Sequence, residues 1–293
     1  MDRRELLKAA LATWASSRLL QAAGSVHLTD KLALLDAGRS NVLAFSADDG
    51  MILVDSGAPK SGDQLMAALN SKVHALFNTH YHLDQTANNE RFAQAGAKII
   101  AHERTREWMS TDYWVPAEGR YEKARPKAAR PTETFQTTGA LTLADEQIGY
   151  GYLLLAHTSG DIYVHFKNAN VLAVGDVASP VRDPSLDYFT GAWIGGRVDA
   201  MVRLLTMCDD RTRIVPGYGP VMTKAQLNGE LVAMKTIYDR VFDLVRKGDE
   251  STDMLKAGVM NGLARTWKDP QRFLYDVQKG LWAHHNKLAP DVV

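Results

Sequence analysis

The sequence has very little cysteine and no excess of charge of either sign. Cys208 is the single cysteine among 293 residues, so no disulfide can form within the chain and cysteine does not indicate a redox compartment. Lysine plus arginine and aspartate plus glutamate each number 34, which gives a formal net charge of zero. This balance does not favour nucleic acid or an anionic membrane as a partner. We expect a small-molecule substrate, and the oligomeric state stays open.

Long apolar runs, low-complexity tracts and internal repeats are also missing. No stretch reaches the roughly 20 apolar residues that a membrane-spanning helix needs, so we expect no membrane insertion. With 45% apolar and 23% charged residues, the composition is that of an ordinary globular protein. A chain of this length buries most of its unfolded surface, and therefore needs no disulfides to hold a core.

The first 23 residues have a pattern of their own. Two adjacent arginines, Arg3 and Arg4, precede a Leu-Leu-Lys sequence and a modestly apolar run, which resembles a twin-arginine export signal. We therefore expect residues 1–23 to be an export signal to the periplasm, and residues 24–293 to form a single domain that ends in helices. Because Arg18 interrupts the apolar run, an amphipathic helix on a cytoplasmic protein is the alternative interpretation.

The rest of the chain begins with strands and then alternates between helices and strands. Three short apolar runs separated by Gly or Asp turns predict an antiparallel meander, at 32–35, 41–45 and 51–54. Helices are predicted at 63–69, 86–95 and 102–109, with strands at 73–77 and 98–101 between them. Residues 110–134 have no clear period and contain three prolines, which predicts a long loop.

Strands return in the second half of the chain, and helices follow them. The strands are predicted at 141–143, 148–155, 162–166 and 171–174. One amphipathic helix is expected from Thr223 to a stop at Gly248, and another from Asp269 as N-cap to about His284. This order favours two sheets between helical layers, an αββα sandwich of the α+β class, over a doubly wound parallel sheet.

A segment rich in metal-ligating residues directly follows the strand predicted at 73–77. It reads Asn-Thr-His80-Tyr-His82-Leu-Asp84-Gln85. Two histidines separated by one residue can point both imidazoles at one centre, and a carboxylate two residues further on can join them. Imidazole and carboxylate are ligands for zinc, and also for iron and manganese. The segment therefore predicts a metal site on the loop that leaves this strand.

The same segment resembles the His-x-His-x-Asp-His signature of the metallo-β-lactamase superfamily, which includes glyoxalase II-like hydrolases. Four further segments resemble family motifs in the same order: MILVDSG at 51–57, AHTSGD at 156–161, NVLAVGD at 170–176 and IVPGYGP at 214–220. The resemblance covers about residues 30 to 225. It implies the αββα fold, a metal-dependent hydrolase, and three histidine ligands for one metal, His80, His82 and His157.

The chain departs from the family at the second metal site. In the family that site uses the signature aspartate, the histidine after it, a bridging aspartate in many members, and a late histidine. Asp84 and Asp176 match the two carboxylates, whereas Gln85 and Tyr218 replace the two histidines. We therefore expect one tightly bound metal, zinc, with Asp176 near it or bound to it. The second site should be weak or absent, although Asp84 stays a candidate ligand.

One metal with an open coordination position is enough for hydrolysis, because it activates water. The expected reaction is cleavage of an ester, thioester, lactone or amide-type bond. Asp84 would orient the water or accept its proton, and Tyr218 or Gln85 would donate a hydrogen bond to the developing oxyanion. Aromatic side chains near the site, Tyr113, Trp114, Tyr188, Phe189 and Trp193, are candidates for lining an apolar pocket.

Two other functions are compatible with the same residues. Some members of the family oxidise sulfur compounds with a single iron that is bound by two histidines and an aspartate. Here His80, His157 and Asp176 would be the corresponding ligands. Alternatively, the site has degraded and keeps a metal without activity.

Overall fold

The computed structural model describes residues 25–47, 50–69, 71–115 and 119–284. The export signal predicted at residues 1–23 lies outside this part of the chain. Within it, no helix is both long enough and apolar enough to cross a membrane.

The first sheet contains the predicted meander. Its seven strands have the spatial order β1-β2-β3-β4-β5-β6-β9. Strands β1 to β4 pair antiparallel, as expected for the meander, and β4, β5, β6 and β9 pair parallel. The bounds are β1 Val26–His27, β2 Leu32–Ala37, β3 Ser40–Ala47, β4 Gly50–Val54, β5 Val73–Phe77, β6 Lys98–His102 and β9 Glu133–Phe135.

The second sheet has five strands in the order β10-β11-β12-β13-β14. They are β10 Thr138–Leu143, β11 Glu146–Tyr152, β12 Ile162–Phe166, β13 Val171–Gly175 and β14 Arg213–Pro216. Strand β12 is antiparallel to both β11 and β13, and β13 is parallel to β14. Strands β11, β13 and β14 therefore end at the same edge of the sheet.

Helices cover the outer face of each sheet. The described helices are α1 Gly62–Leu69, α2 Leu83–Thr86, α3 Asn89–Gln94, α4 Glu103–Ser110, α5 Ile194–Thr206, α6 Lys224–Lys247, α7 Ser251–Lys256 and α8 Pro270–Ala283. Leu65 of α1 and Phe92 of α3 pack on the first sheet. Met201 of α5 and Ile237 of α6 pack on the second sheet.

A third core fills the space between the two sheets. Phe45 and Phe77 of the first sheet meet Phe166 and Val215 of the second in this core, and the Phe45 and Phe166 rings are 5.7 Å apart. One apolar core lies between the two sheets, and one lies between each sheet and its helices. This arrangement is an αββα sandwich. The predicted fold class is therefore confirmed.

The two long C-terminal helices were predicted from their ends, and their caps agree. Thr223 and Gln226 form a capping box at the start of α6, and Gly248 ends it in a left-handed conformation with φ of +89°. At the start of α8, the Asp269 side chain accepts from the Arg272 backbone N–H. The capping residues therefore explain where α6 begins and ends and where α8 begins.

Other elements differ from the prediction. The helix expected at 86–95 begins later, as α3 at Asn89–Gln94, and the separate short helix α2 precedes it. The predicted loop at 110–134 contains a hairpin of β7 Tyr113–Val115 and β8 Arg120–Glu122. Helix α5 was not predicted, because two glycines stand in its first turn and glycine disfavours helix. A Cβ on Gly196 would lie 2.3 Å from a backbone oxygen, so close packing requires glycine there.

The candidate site residues follow strand ends that meet at one edge of the sandwich. The histidine segment follows β5, and the segments of His157, Asp176 and Tyr218 follow β11, β13 and β14. The two sheets are joined at this edge, where the Asn41 backbone N–H donates to Gly217 O at 2.9 Å. The topology thus brings together residues that are up to 138 positions apart in the chain, from His80 to Tyr218.

Candidate metal centre

Three histidines lie at the centre of the site. The ligand nitrogens of His80, His82 and His157 are all within 4.8 Å of one another. The ring centroids are 4.8, 4.7 and 4.9 Å apart, and the ring planes are nearly perpendicular. The structure therefore brings together the three residues that the sequence predicted as ligands.

Hydrogen bonds leave a lone pair on His80 that faces no partner. Asp55 accepts from the Thr79 backbone N–H at 2.8 Å and from the Thr79 hydroxyl at 2.7 Å. Since the hydroxyl proton is used in this way, Thr79 Oγ1 accepts from His80 Nδ1 at 3.1 Å. His80 Nε2 is then an acceptor, and it is buried with no hydrogen-bond partner among the described residues. A metal ion would satisfy this nitrogen.

The other two histidines are oriented in the same manner. His157 Nδ1 lies 2.9 Å from Ser185 O, which can only accept, so His157 Nε2 carries the lone pair. His82 Nε2 lies 3.1 Å from Asp187 Oδ2, so His82 Nδ1 carries the lone pair in the neutral ring. These two nitrogens are only 3.0 Å apart. Nitrogen ligands of a tetrahedral zinc ion, each at about 2.05 Å, are separated by about 3.3 Å. The distance between these two nitrogens is therefore close to the one that such an ion requires.

The electrostatics of the three rings also suit a cation. Burial lowers the pKa of His80 and of His157 well below the ordinary histidine value, and the neighbouring histidines lower it further. Burial acts in the same direction on His82, but the hydrogen bond and charge of Asp187, with two more distant carboxylates, outweigh it and raise the pKa of His82. The neutral form of His80 and of His157 is thus favoured, and the carboxylates around His82 favour a positive charge there.

Asp176 lies beside the three histidines. Its Oδ2 is 3.8 Å from His157 Nε2 and accepts from Arg182 Nη2 at 2.5 Å. Gln85 Nε2 is 3.3 Å from Asp176 Oδ1 and 3.3 Å from Gly217 O, while Gln85 Oε1 is buried and has no hydrogen-bond partner in the described part of the chain. The two N–H groups of the Gln85 amide therefore have two acceptors nearby. Burial raises the pKa of Asp176 to about 6, although the charge of Arg182 opposes it.

Asp84 and Tyr218 are joined at the rim of the site. The Tyr218 hydroxyl donates to Asp84 Oδ2. Ser40 Oγ donates to Asp84 O at 2.6 Å and lies 3.1 Å from the Tyr218 hydroxyl. Arg182 Nη1 is 3.8 Å from Asp84 Oδ2, and the guanidinium carbon lies 3.2 Å from the centroid of the Tyr218 ring. Burial, and then the hydrogen bond to Asp84, raise the pKa of Tyr218, so its phenol keeps the proton.

Three residues in the segment after Asp176 take part in the site but were not predicted from sequence: Arg182, Ser185 and Asp187. Asp187 also accepts from the Tyr81 hydroxyl. A signal for Arg182 was present, since two carboxylates that had lost their histidine partners needed a positive charge nearby. Ser185 contributes its backbone carbonyl, and the position of Asp187 depends on the path of the loop after Asp176. No sequence pattern therefore indicated either residue.

A cavity of about 500 Å³ opens beside His82 and Asp84. Tyr81, Tyr113 and Phe189 form part of its wall. Trp108 packs behind them, with ring centroids 5.9, 5.1 and 5.6 Å from those three rings in the same order.

Among the aromatics proposed for a pocket, three line this cavity and two do not. Tyr113, Tyr188 and Phe189 line it. Trp193 is buried in the core of the second sheet. Trp114 is 46% exposed on the β7–β8 hairpin.

Comparison with known sequences shows which proteins this chain resembles. The sequence model of the metallo-beta-lactamase superfamily matches residues 35–226, which is more than half of the chain. A curated relative, the 2,4-dinitroanisole O-demethylase subunit alpha of Nocardioides sp. (strain JS1661), is 28% identical over 168 residues. The alignment covers 54% of this chain and 47% of the relative. The chain thus spans about half the length of the curated relative that it matches.

Solved structures share the fold. A metallo-beta-lactamase from Pontibacter korlensis superimposes with a TM-score of 0.59 at 19% identity, covering 72% of this chain and 98% of that protein. The sec-alkylsulfatase Pisa1 from Pseudomonas sp. gives a TM-score of 0.62 at 16% identity, covering 94% of this chain and 51% of that protein. At these identities the likeness concerns the fold alone.

Proposed function

Because the chain belongs to the metallo-β-lactamase superfamily, we propose that it is a metal-dependent hydrolase that cleaves an ester-type bond in a small, neutral, aromatic substrate. One observation carries this proposal. Ligand nitrogens of His80, His82 and His157 lie within 4.8 Å of one another, and Asp84 and His82 line the same cavity. A metal position, a proton acceptor and a substrate space therefore adjoin one another.

The three histidines would hold the metal, and zinc suits three imidazole nitrogens. When bound there, zinc would lower the pKa of a coordinated water to about 7 and polarise the bond under attack. The chain fixes each ligand in advance through Thr79, Ser185 and Asp187, which accept the ring protons. Such partners keep each imidazole in the orientation and tautomer that binding requires.

Asp84 is the proton acceptor in this proposal. Its side chain is 36% exposed, and it lines the cavity next to His82. Tyr218 and Arg182 contact Oδ2, which fixes the carboxylate without enclosing it. A carboxylate in this position can take a proton from the attacking water and return it to the leaving group.

Gln85 and Tyr218 hold carboxylates in this proposal. The two Gln85 amide hydrogens face Asp176 and Gly217, and the Tyr218 hydroxyl donates to Asp84. Donors engaged in this way are not directed at a substrate oxygen. We therefore assign both residues to positioning rather than to the stabilisation of an oxyanion.

The cavity wall supports a neutral aromatic substrate. Tyr81, Tyr113 and Phe189 offer ring faces or edges, against which a planar group packs well. Its titratable lining is slightly acidic, with four carboxylates, one histidine and two arginines. Both arginines have acidic neighbours, since Arg125 lies 3.8 Å from Glu122 and Arg272 lies 3.1 Å from Asp276. Apart from the metal ion, the cavity wall therefore does not attract an anionic substrate. The curated relative is named for O-demethylation of 2,4-dinitroanisole, a neutral aromatic ether, which accords with this substrate class.

A substrate panel on zinc-loaded protein tests the proposal. The panel would contain neutral aryl and alkyl esters, a thioester, a lactone, an aryl methyl ether and an anionic β-lactam. We expect hydrolysis of a neutral aryl substrate, with kcat lowered by about 10²- to 10⁴-fold in Asp84→Asn. Asp239→Asn, an exposed aspartate on α6, is the matched control and should keep the wild-type rate. Hydrolysis at equal rates in Asp84→Asn, or oxygen consumption with iron in place of hydrolysis, would contradict the proposal.

A further inference from the structure

The Arg182 guanidinium lies near both carboxylates that match the second metal site of the family. Arg182 Nη2 donates to Asp176 Oδ2 at 2.5 Å, and Arg182 Nη1 lies 3.8 Å from Asp84 Oδ2. These are the two carboxylates that the family uses for its second metal. One side chain of charge +1 thus lies near both carboxylates.

The residues that replace the family histidines suit a guanidinium better than a metal ion. Tyr218 presents its ring face to Arg182, with the guanidinium carbon 3.2 Å from the ring centroid. This is cation–π geometry, for which the planar guanidinium is well suited. Gln85 directs its amide nitrogen at Asp176 Oδ1 at 3.3 Å, where a metal would need an electron-pair donor. Neither residue supplies an imidazole nitrogen.

The backbone of Arg182 is fixed by buried neighbours. Arg265 Nη2 donates to Arg182 O and, at 2.6 Å, to Ser179 O. Glu230, which is 7% exposed, accepts from the Ser179 backbone N–H at 2.9 and 3.0 Å. These contacts fix the backbone from which the Arg182 side chain, itself 41% exposed, reaches the two carboxylates.

We propose that the Arg182 guanidinium occupies the place of the second metal ion and makes this centre mononuclear. It neutralises Asp84 and Asp176 and holds them beside the histidine site, and it excludes a second cation by charge and by volume. Arg182 is a positioning residue in this account. The stoichiometry would stand even if the reaction at the centre were different, because it follows from the contacts of Arg182 alone.

Restoring the histidines while keeping Arg182 is the sharpest test. The full chain would be stripped with a chelator, loaded with excess Zn²⁺, desalted and analysed for zinc per chain. We expect one equivalent in wild type and one in Gln85→His/Tyr218→His. Adding Arg182→Ala to that pair should raise the content to two. Two equivalents in the double variant, or one in the triple variant, would overturn the proposal.

Arg203 provides the matched control. It is another arginine over a tyrosine ring, with its guanidinium carbon 5.4 Å from the Tyr163 centroid, but it lies outside the site. Arg203→Ala added to the double variant should leave one equivalent, and two would overturn the proposal. If the triple variant does not fold, as judged by circular dichroism, Arg182→Ala alone decides by calorimetric titration with Zn²⁺. We expect a second, weaker binding event that wild type lacks, and identical single-site curves would refute the proposal.

Discussion

A buried ion pair behind the site gives the most quantitative prediction. Arg197 of α5 is fully buried, and its Nη2 lies 3.3 Å from Glu230 Oε1. Glu230 also accepts two contacts from the Ser179 N–H and has Arg265 at 3.6 Å. Glu230→Ala would leave Arg197 with only Ser179 Oγ at 2.9 Å and a carbonyl at 3.5 Å. Removing one partner of a buried pair costs about 3 to 5 kcal/mol, because the other charge stays buried and unpaired.

Unfolding in urea measures this loss directly, and thermal unfolding should show it as a decrease in Tm of about 6 to 20 °C. Asp239→Ala is the matched control, since Asp239 pairs with Lys235 at 2.7 Å on the exposed face of the same helix. That exposed pair should contribute only about 0 to 1 kcal/mol. Replacing both buried partners, as in Arg197→Met/Glu230→Met, should recover most of the loss. If Glu230→Ala costs no more than Asp239→Ala, the buried network does not stabilise the fold as described.

Three further predictions concern single side chains. Asp187→Asn removes the carboxylate that orients His82, and should weaken zinc binding by about 10- to 100-fold in competition with a chelating dye; unchanged affinity would show that Asp187 does not position the ligand. Burial raises the pKa of Asp276 to about 7, so the unfolded chain releases this proton at lower pH and stability falls as the pH rises from about 4 to 7. Asp276→Asn should therefore gain about 2 to 4 kcal/mol relative to wild type between pH 4 and pH 8, and a difference independent of pH would refute the assignment. A Cβ on Gly217 would lie 2.0 Å from Asp176 Oδ1, so Gly217→Ala should destabilise the protein by about 1 to 3 kcal/mol in urea unfolding, whereas wild-type stability would mean that the carboxylate moves freely.

The sequence predicted the parts of the fold that rest on local chemistry. The meander, strand β5 and the two capped C-terminal helices follow from alternation, apolar runs and capping residues. Helix α5 was missed because close packing of glycines against Trp193 and Leu155 is a tertiary requirement that helix propensity opposes. The β7–β8 hairpin was not predicted, because its residues show no regular alternation of apolar and polar side chains.

The candidate site divides in the same way. His80 and His82 are adjacent in sequence, and the motif around His157 was recognisable, so the metal ligands could be predicted. The two carboxylates without histidine partners indicated a positive charge nearby, but the sequence did not show that Arg182 supplies it, because that depends on the path of the loop that places Arg182 over Tyr218. The loss of two histidines was visible in the sequence, but what replaced their function was visible only in three dimensions.

Metal content is the most direct test of the central claim that three histidines hold one ion. Protein purified without added metal would be analysed for zinc, iron and manganese per chain, together with His82→Ala and with His165→Ala, a histidine in strand β12 away from the site. We predict one equivalent of zinc in wild type and in His165→Ala, and its loss in His82→Ala. Two equivalents in wild type, or one that survives in His82→Ala, would contradict this account.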